Sequence, residues 1–404
     1  MELENLQELR DDVYRCVRCG SCTKAPNDPL IDSSDRTCPE WELYRFLSRS
    51  GLGINSAARA ILEGKLEVSD ELVDALYDCL MCGNCYTACD EFFRRFEPML
   101  GRIGEGIDVP KVVRAIRADL VKAGKEPPAR YKKTATLVQK SHNRFGRKPA
   151  ERTAWIPKGM DLPNTGKLLY FAGCVASYKS REIAQNFAKV LHKAGVEFAA
   201  LGEEEWCCGG PQLLNIGFLD DYKENAVHNV RAIREAGVEE VVTTCADCYR
   251  TLKFDYPEVV GELGFRVIHS SELIARFLEE GKIQFQTGIK GKVTYHDPCQ
   301  LAKIGQVCDQ PREIIGSIPG VDFVEMHQGN REYTMCCGHY PVELPKLSLA
   351  TALDRVRDAQ AVEADTIITA CSFCKWNLRR ATEQATPEIK VMDIVEVVAQ
   401  SMRI

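Results

Sequence analysis

The sequence predicts an α/β protein: two tandem Rossmann-like modules, each on a parallel sheet, following a small and mainly helical domain. Three observations predict this. A unit of about 125 residues occurs twice after residue 165, strand-like and helix-like patterns alternate within each copy, and the 19 cysteines of the 404 residues fall into three groups. Alternation of the two periodicities marks a parallel sheet wrapped by helices. The expected boundaries are 1–110 for the first domain, 111–165 for a linker carrying a helix, and 166–290 and 291–404 for the two copies.

Composition narrows the function classes. Apolar residues make up 45% of the chain and charged residues 27%, the balance of an ordinary soluble globular protein. A net charge of −6 disfavours nucleic acid, whose phosphates call for a basic excess. The local basic run "ARYKKTATLVQK" reads as a solvated face. The opening "MELENLQELRDD" has no apolar core of a secretory signal, and no run of about 18 apolar residues is present to span a bilayer. An odd, high cysteine count in that context points to metal ligation in a reducing compartment rather than to disulfides. A cytoplasmic location follows, with any contact to the inner face of a membrane made through a partner.

The first domain holds eight cysteines: Cys16, Cys19 and Cys22 spaced by two, then Cys38 before Pro39, then Cys79, Cys82 and Cys85 spaced by two, then Cys89. Triplets so spaced wrap three irons of a [4Fe–4S] cube, and the remote fourth cysteine of each run completes the other cube. On that rule Cys89 joins Cys16, Cys19 and Cys22, and Cys38 joins Cys79, Cys82 and Cys85. Two departures stand out: fifteen residues separate Cys22 from Cys38, and Asp90 rather than proline follows Cys89. Thiolate tetrads also hold zinc, but zinc motifs arrive as separated pairs rather than triplets. Two cubanes in one small domain form an electron wire.

Next comes "DVPKVVRAIRADLVKAGKEPP", helix-like and ended by prolines, and the loop-like "RKPAERTAWIPKGMDLPNTGK". Copy one then runs from strand "KLLYFAGC" to helix "SREIAQNFAKVLHKAG", where Ile183, Phe187, Val190 and Leu191 share a face. It continues with strand "VEFAAL", the stretch "EEEWCCGGPQLLN", helix "FLDDYKENAVHNVRAIREAG" and strand "VEEVVTTC". Copy two follows with "KVTYHDPC", "REIIGSIPG", "VDFVEM", "EYTMCCGHYPVE", "LATALDRVRDAQAVEA" and "DTIITACSFC". Cys174 and Cys299 end one strand, Cys245 and Cys371 end another, and the adjacent pairs Cys207–Cys208 and Cys336–Cys337 follow a third. Open α/β sheets bind ligands at the carboxyl ends of their strands, so five thiols per copy converge on one crevice.

Copy one thus offers Cys174, Cys207, Cys208, Cys245 and Cys248; copy two offers Cys299, Cys336, Cys337, Cys371 and Cys374. A cubane needs four. The surplus thiol fits a redox nucleophile beside a cube, a zinc site with a bystander, or an opened cluster in which one thiolate bridges two irons. Neighbouring residues rarely form a disulfide without strain, whereas they readily clamp contiguous metals. In combination these motifs resemble the cysteine-rich CCG domains of the B-type and D-type polypeptides of heterodisulfide reductase. A two-cubane, ferredoxin-type domain fused to two CCG domains is the D-type layout. The resemblance implies a non-cubane [4Fe–4S] cluster on each five-cysteine set and a disulfide substrate lodged between them. It also implies redox partners: flavin, hydrogenase-like or cytochrome b subunits. The layout is similar, too, to relay subunits of glycolate oxidase, anaerobic glycerol-3-phosphate dehydrogenase and class II benzoyl-CoA reductase complexes, which act without a disulfide substrate.

Two histidines stand beside these thiols. His296, in "YHDPC", is placed to hydrogen-bond a cluster thiolate or relay a proton; His339 replaces the second glycine of the CCGG stretch and would narrow the crevice or donate a proton. Packing roles compete with both. His142, His192, His228, His269 and His327 read as ordinary, and Cys308 as a small buried hydrophobe. Gly101, Gly104 and Gly106 do not follow a strand with dinucleotide-binding spacing, so any flavin or nucleotide belongs to another subunit.

Overall fold

The computed structural model describes residues 2–23, 36–100, 105–339, 345–385 and 389–404. Gly101 and Gly104 lie outside them. Two all-parallel sheets form the scaffold. The first has the order β1 (Leu168–Phe171), β2 (Glu240–Thr243), β3 (Arg266–His269); the second has β5 (Asp322–Phe323), β4 (Lys292–His296), β6 (Thr366–Thr369), β7 (Lys390–Asp393). The central strands β2 and β6 are buried along their whole length, which suits their Val, Ile and Thr residues.

The strand list differs from expectation at both edges. "VEFAAL" contributes a single bridge, Leu169 to Ala199, because the chain pairs there (Tyr170 N to Ala199 O, 2.9 Å) and then turns away at Gly202. "VDFVEM" supplies only the two residues of β5. The outer positions go instead to β3 and β7, whose short apolar runs lead straight into helices through reciprocal caps. The His269 side chain accepts from Ser271 N while Glu272 accepts from His269 N; Asp393 and Glu396 repeat this with Val395 N and Asp393 N.

The two copies exchange helices. Helix Arg181–Lys193 of copy one packs on helix Ile394–Met402 of copy two, and helix Ser270–Glu279 of copy one packs on helix Asp309–Gly316 of copy two. Ile183, Phe187 and Leu191 are fully buried together with Ile394, Val397 and Val398. Each copy therefore completes the other's core, and the carboxyl ends of β2 and β6 meet.

Residues 109–141 form two helices, Val109–Lys122 and Ala129–Ser141. The first is a buried strut. Asp119, fully buried, accepts from Asn5 N (3.0 Å), Asn5 Nδ2 (2.7 Å) and Leu6 N (3.0 Å), capping the N-terminal helix. Arg117, also fully buried, donates to the carbonyls of Leu76, Cys79 (3.3 Å) and Asn215 (2.7 Å), tying the second cysteine run to copy one. Among the described residues no helix is long and apolar enough to cross a membrane. Replacing Arg117 by methionine strands these carbonyls in the interior. R117M should therefore lose about 3 kcal/mol of stability, read as a lower urea midpoint at unchanged slope.

A candidate iron–sulfur centre built from four thiol sets

All 19 cysteines are free thiols, and all but Cys308 gather in four sets. Cys16, Cys19, Cys22 and Cys89 line a small, partly enclosed hollow with Gly51 and Phe93. Burial, then the neighbouring Cys89, Cys16 and Cys19, pushes Cys22 up to about 12. Burial pushes Cys89 up to about 11, although Ile107 N donates to its sulfur at 3.4 Å. Cys19 is the exposed member. Cys38, Cys79, Cys82 and Cys85 form the second set, and burial raises Cys38, Cys79 and Cys85 well above the ordinary thiol range. Cys89 thus stands with the first triplet and Cys38 with the second.

The third set begins where β1 ends. Here Glu205 fixes the chain: its carboxylate accepts from Ala172 N (3.0 Å) and Gly173 N (2.9 Å) and pairs with the buried Arg152 at 2.8 Å. The sulfurs then follow one another, Cys174 beside Cys207, Cys207 beside Cys208, and Cys248 beside both Cys208 and Cys245. Cys207 and Cys248 draw Cys208 down to about 5. The fourth set repeats the neighbours: Cys336 stands beside Cys299 and Cys337, and Cys374 beside Cys337 and Cys371.

Two contacts join the sets. Cys82 lies against Cys336, which draws it down to about 7, so the second and fourth sets touch. The Cys245 and Cys371 sulfurs lie within 4.8 Å of each other, so the third and fourth touch. The Asp247 carboxylate lies in that last junction, its oxygen and the Cys245 and Cys371 sulfurs all within 4.8 Å of one another. The second set is docked on copy two by Asn84 Nδ2, held by Thr37 O at 2.9 Å and reaching Met335 Sδ at 3.1 Å, and by Gln300 Nε2, which donates to Met81 O at 3.1 Å; the first of these bonds stays within the first domain.

The doubled cysteines sit in a backbone made for them. Gly209 and Gly338 have φ of +78° and +80°, a region closed to most side chains. A Cβ on Gly210 would stand 2.0 Å from Thr251 Oγ1, which explains the second glycine of copy one. Single π-helical turns follow at Gly210–Leu214, Thr251–Asp255 and Gln300–Ile304, each just after cysteines of a set. Asn225 Nδ2 (2.6 Å) and Asn229 Nδ2 (3.1 Å) hold the Cys207 carbonyl, Tyr256 the Cys208 carbonyl (3.0 Å), and Asn377 the Cys337 carbonyl (2.7 Å). Sequence reasoning passed over these residues; asparagines one helical turn apart in "ENAVHN" were the available signal.

The histidines separate by environment. His296, at the end of β4 where copy one has Phe171, is fully buried; neither ring nitrogen has a hydrogen-bond partner, and one lies within 4.8 Å of the Cys337 and Cys374 sulfurs. His339 Nε2 accepts from Arg144 Nη1 at 3.2 Å, and its ring packs against Phe373 (4.6 Å) and Trp376 (4.9 Å). Burial and then Arg144 push it down to about 3, so it stands neutral. His142 and His228, read from sequence as ordinary, sandwich Trp206 at 3.5 and 3.6 Å beside Cys207, whose N–H donates to His142 O at 2.8 Å. Cys308 is buried apart from every set, 3.9 Å from Ala302 O.

These residues fit iron–sulfur clusters. Buried sulfurs converge without a disulfide, and glycine leaves the room that a bulky inorganic group requires. A Cβ on Gly51 would lie 2.8 Å from Cys85 Cβ and 3.2 Å from Cys22 Cβ; one on Gly173 would lie 2.8 Å from Cys248 Sγ at a φ of +70°. G173A should therefore open the third set alone. Alkylation of native, metal-loaded protein, followed by mass spectrometry, should label Cys174 and Cys248 more than tenfold faster than in wild type and leave the first-domain thiols protected.

Comparison with known proteins agrees with this layout. The cysteine-rich CCG domain matches residues 168–253 and 293–379, and the 4Fe-4S dicluster domain matches residues 4–92. The chain is 35% identical over 399 residues to the D-type polypeptide of dihydromethanophenazine:CoB--CoM heterodisulfide reductase from Methanosarcina barkeri, covering 96% of this chain and 93% of that one. It is 26% identical to the B-type polypeptide of fumarate reductase (CoM/CoB) from Methanothermobacter marburgensis, covering 98% of this chain and 75% of that one. It is 26% identical to EtfAB:quinone oxidoreductase of Syntrophomonas wolfei, covering 99% of this chain and 60% of that longer protein. With two cysteine-rich modules, a dicluster domain and near end-to-end similarity, the chain belongs to the D-type heterodisulfide reductase family of iron–sulfur oxidoreductase subunits.

Proposed function

We propose that this subunit exchanges electrons with a disulfide lodged between copy one and copy two, within a larger redox complex. The observation that carries the reading is the junction of Cys245 and Cys371, where the two five-thiol sets meet within 4.8 Å. Cys16, Cys19, Cys22 and Cys89 would hold one cubane [4Fe–4S] cluster, and Cys38, Cys79, Cys82 and Cys85 another. The third and fourth sets would each hold a non-cubane [4Fe–4S] cluster, with the adjacent cysteines clamping neighbouring irons. Such clusters supply one-electron transfer when bound.

The chain's own contribution is order and position. The contacts Cys82–Cys336 and Cys245–Cys371 arrange the sets in a line: first domain, copy two, copy one. Breaking one S–S bond takes two electrons and two protons and yields two thiols; forming it reverses the balance. Two electrons arriving singly require two one-electron stations facing the same bond, which a crevice between two sets provides. His296 lies against Cys337 and Cys374, and His339 holds Arg144 over Phe373 and Trp376 beside the same crevice. Redox partners would be flavin, hydrogenase-like or cytochrome b subunits, and a peripheral place at the inner face of a membrane would come through the last of these.

A relay role without a substrate is the second reading, of the benzoyl-CoA reductase or quinone-linked dehydrogenase kind. Similarity to EtfAB:quinone oxidoreductase favours it. Zinc in copy two is a third possibility, suggested by the His296, Cys337 and Cys374 group. One experiment sorts them. Anaerobically prepared protein should carry about sixteen irons and, when half-reduced with a mixed disulfide present, give a new paramagnetic signal absent with the product thiols alone. Full iron with no disulfide-dependent signal supports the relay, and zinc near one per chain supports the third reading.

A further inference from the structure

The two five-thiol sets differ in one charge. Lys303 lies in the π-helical turn Gln300–Ile304 that follows Cys299, and its side chain crosses from copy two to the first domain. Its stem passes over the Cys82–Gly83 bend, 3.5 Å from where a Cβ on Gly83 would be. Its Nζ donates to Thr87 Oγ1 at 3.4 Å and to the Glu332 carbonyl. Both acceptors are neutral, and no carboxylate among the described residues forms an ion pair with it. The ammonium shares a cleft with Cys82, and the thiols that act on it are Cys82, Cys299, Cys85 and Cys336.

Copy one has no equivalent. Its buried cation, Arg152, is matched by Glu205 at 2.8 Å, so Cys174 and Cys207 face a neutral pair. The carboxylates of the same cleft, Asp90, Glu91, Asp309 and Glu332, form no ion pair with Lys303; Asp90 pairs with Arg94 and Asp309 with Arg331. Asp297 turns both oxygens to Arg312 at 2.9 Å, and Arg312 also pairs with Glu325. Asp247 lies at the far junction with copy one, and Arg144 faces both copies through His339 and Asp247. Each added electron makes a cluster one charge more negative. A half-buried cation fixed beside it therefore raises its reduction potential.

On the reading given above, the structure assigns Lys303 as an electrostatic positioning residue that raises the potentials of the second cubane set and of the copy-two set. It thereby directs electrons across the Cys82–Cys336 seam and makes copy two, rather than copy one, the first of the paired stations to be reduced. Lys303 touches neither substrate nor the disulfide crevice. Its work is a fixed charge at the boundary between wire and reaction site.

The test is an EPR-monitored redox titration of the full, cluster-loaded chain, with the first cubane set and the copy-one set as internal references. K303Q keeps donors for Thr87 and the Glu332 carbonyl but removes the charge. It should lower the midpoints of the second cubane set and the copy-two set by a factor of ten or more in the one-electron equilibrium, about 59 mV. The reference sets should stay put, and K303R should stay near wild type. Unmoved midpoints in fully loaded K303Q, equal shifts of all four sets, or loss of iron from copy two would each overturn the assignment, the last by making Lys303 a tether. Wild-type protein without clusters on the five-thiol sets would instead remove the functional reading itself, a failure visible before any variant is made.

Discussion

Sulfur crowded out of water is the constraint on which the rest of this molecule depends. Buried thiols resist ionisation, and each thiolate raises the next, as the upward displacement of Cys22, Cys38, Cys79 and Cys85 records. Sets of four and five such groups, packed without a disulfide, are tolerable as bare thiols only as long as most keep their protons. A cationic inorganic core reverses the sign of that energy: it stabilises the thiolates that the protein alone disfavours. The surrounding devices make sense in this light. Carboxamides from Asn225, Asn229 and Asn377 hold backbone carbonyls rather than sulfurs, and Gly51 and Gly173 keep side chains out of the space between sulfurs.

The constraint also explains why the first domain is welded to the second copy. Separate folding units joined by a loose tether would place Cys82 and Cys336 at variable distance. Here Asn84 reaches Met335 Sδ and Gln300 reaches the Met81 carbonyl across the seam, while Arg117 ties the same cysteine run to copy one through the carbonyls of Cys79 and Asn215. Such contacts carry direction as well as energy, since a guanidinium satisfied by several carbonyls tolerates little sliding. Order at the seam is thereby built into the backbone.

Much of this was legible in the sequence, and the reasons differ by feature. Cysteine spacing is a local property, and it revealed the grouping into triplets, pairs and remote fourth thiols. The duplicated α/β script was equally legible, because β1, β2, β4 and β6 are short apolar and β-branched runs with cysteine close behind. The edge strands β3 and β7 were not, since two apolar residues before a cap look like a helix entry. Nor did any local pattern announce that Lys303 faces Cys82, that Arg144 reaches His339, or that His142 and His228 stack on Trp206. Those pairings span long stretches of chain and exist only after the sheets have closed.

The exchange of helices between the copies has a consequence for how this architecture behaves as an object. Helix Arg181–Lys193 finds its apolar partner in Ile394–Met402, and Ser270–Glu279 finds its partner in Asp309–Gly316. In effect the duplication is a dimer made permanent by one covalent join. Neither half is a stand-alone piece: cut apart, each would present two oily flanks to solvent. Drift in one repeat must then be answered in its twin, so the halves can specialise in charge and side chain while their shapes stay locked together.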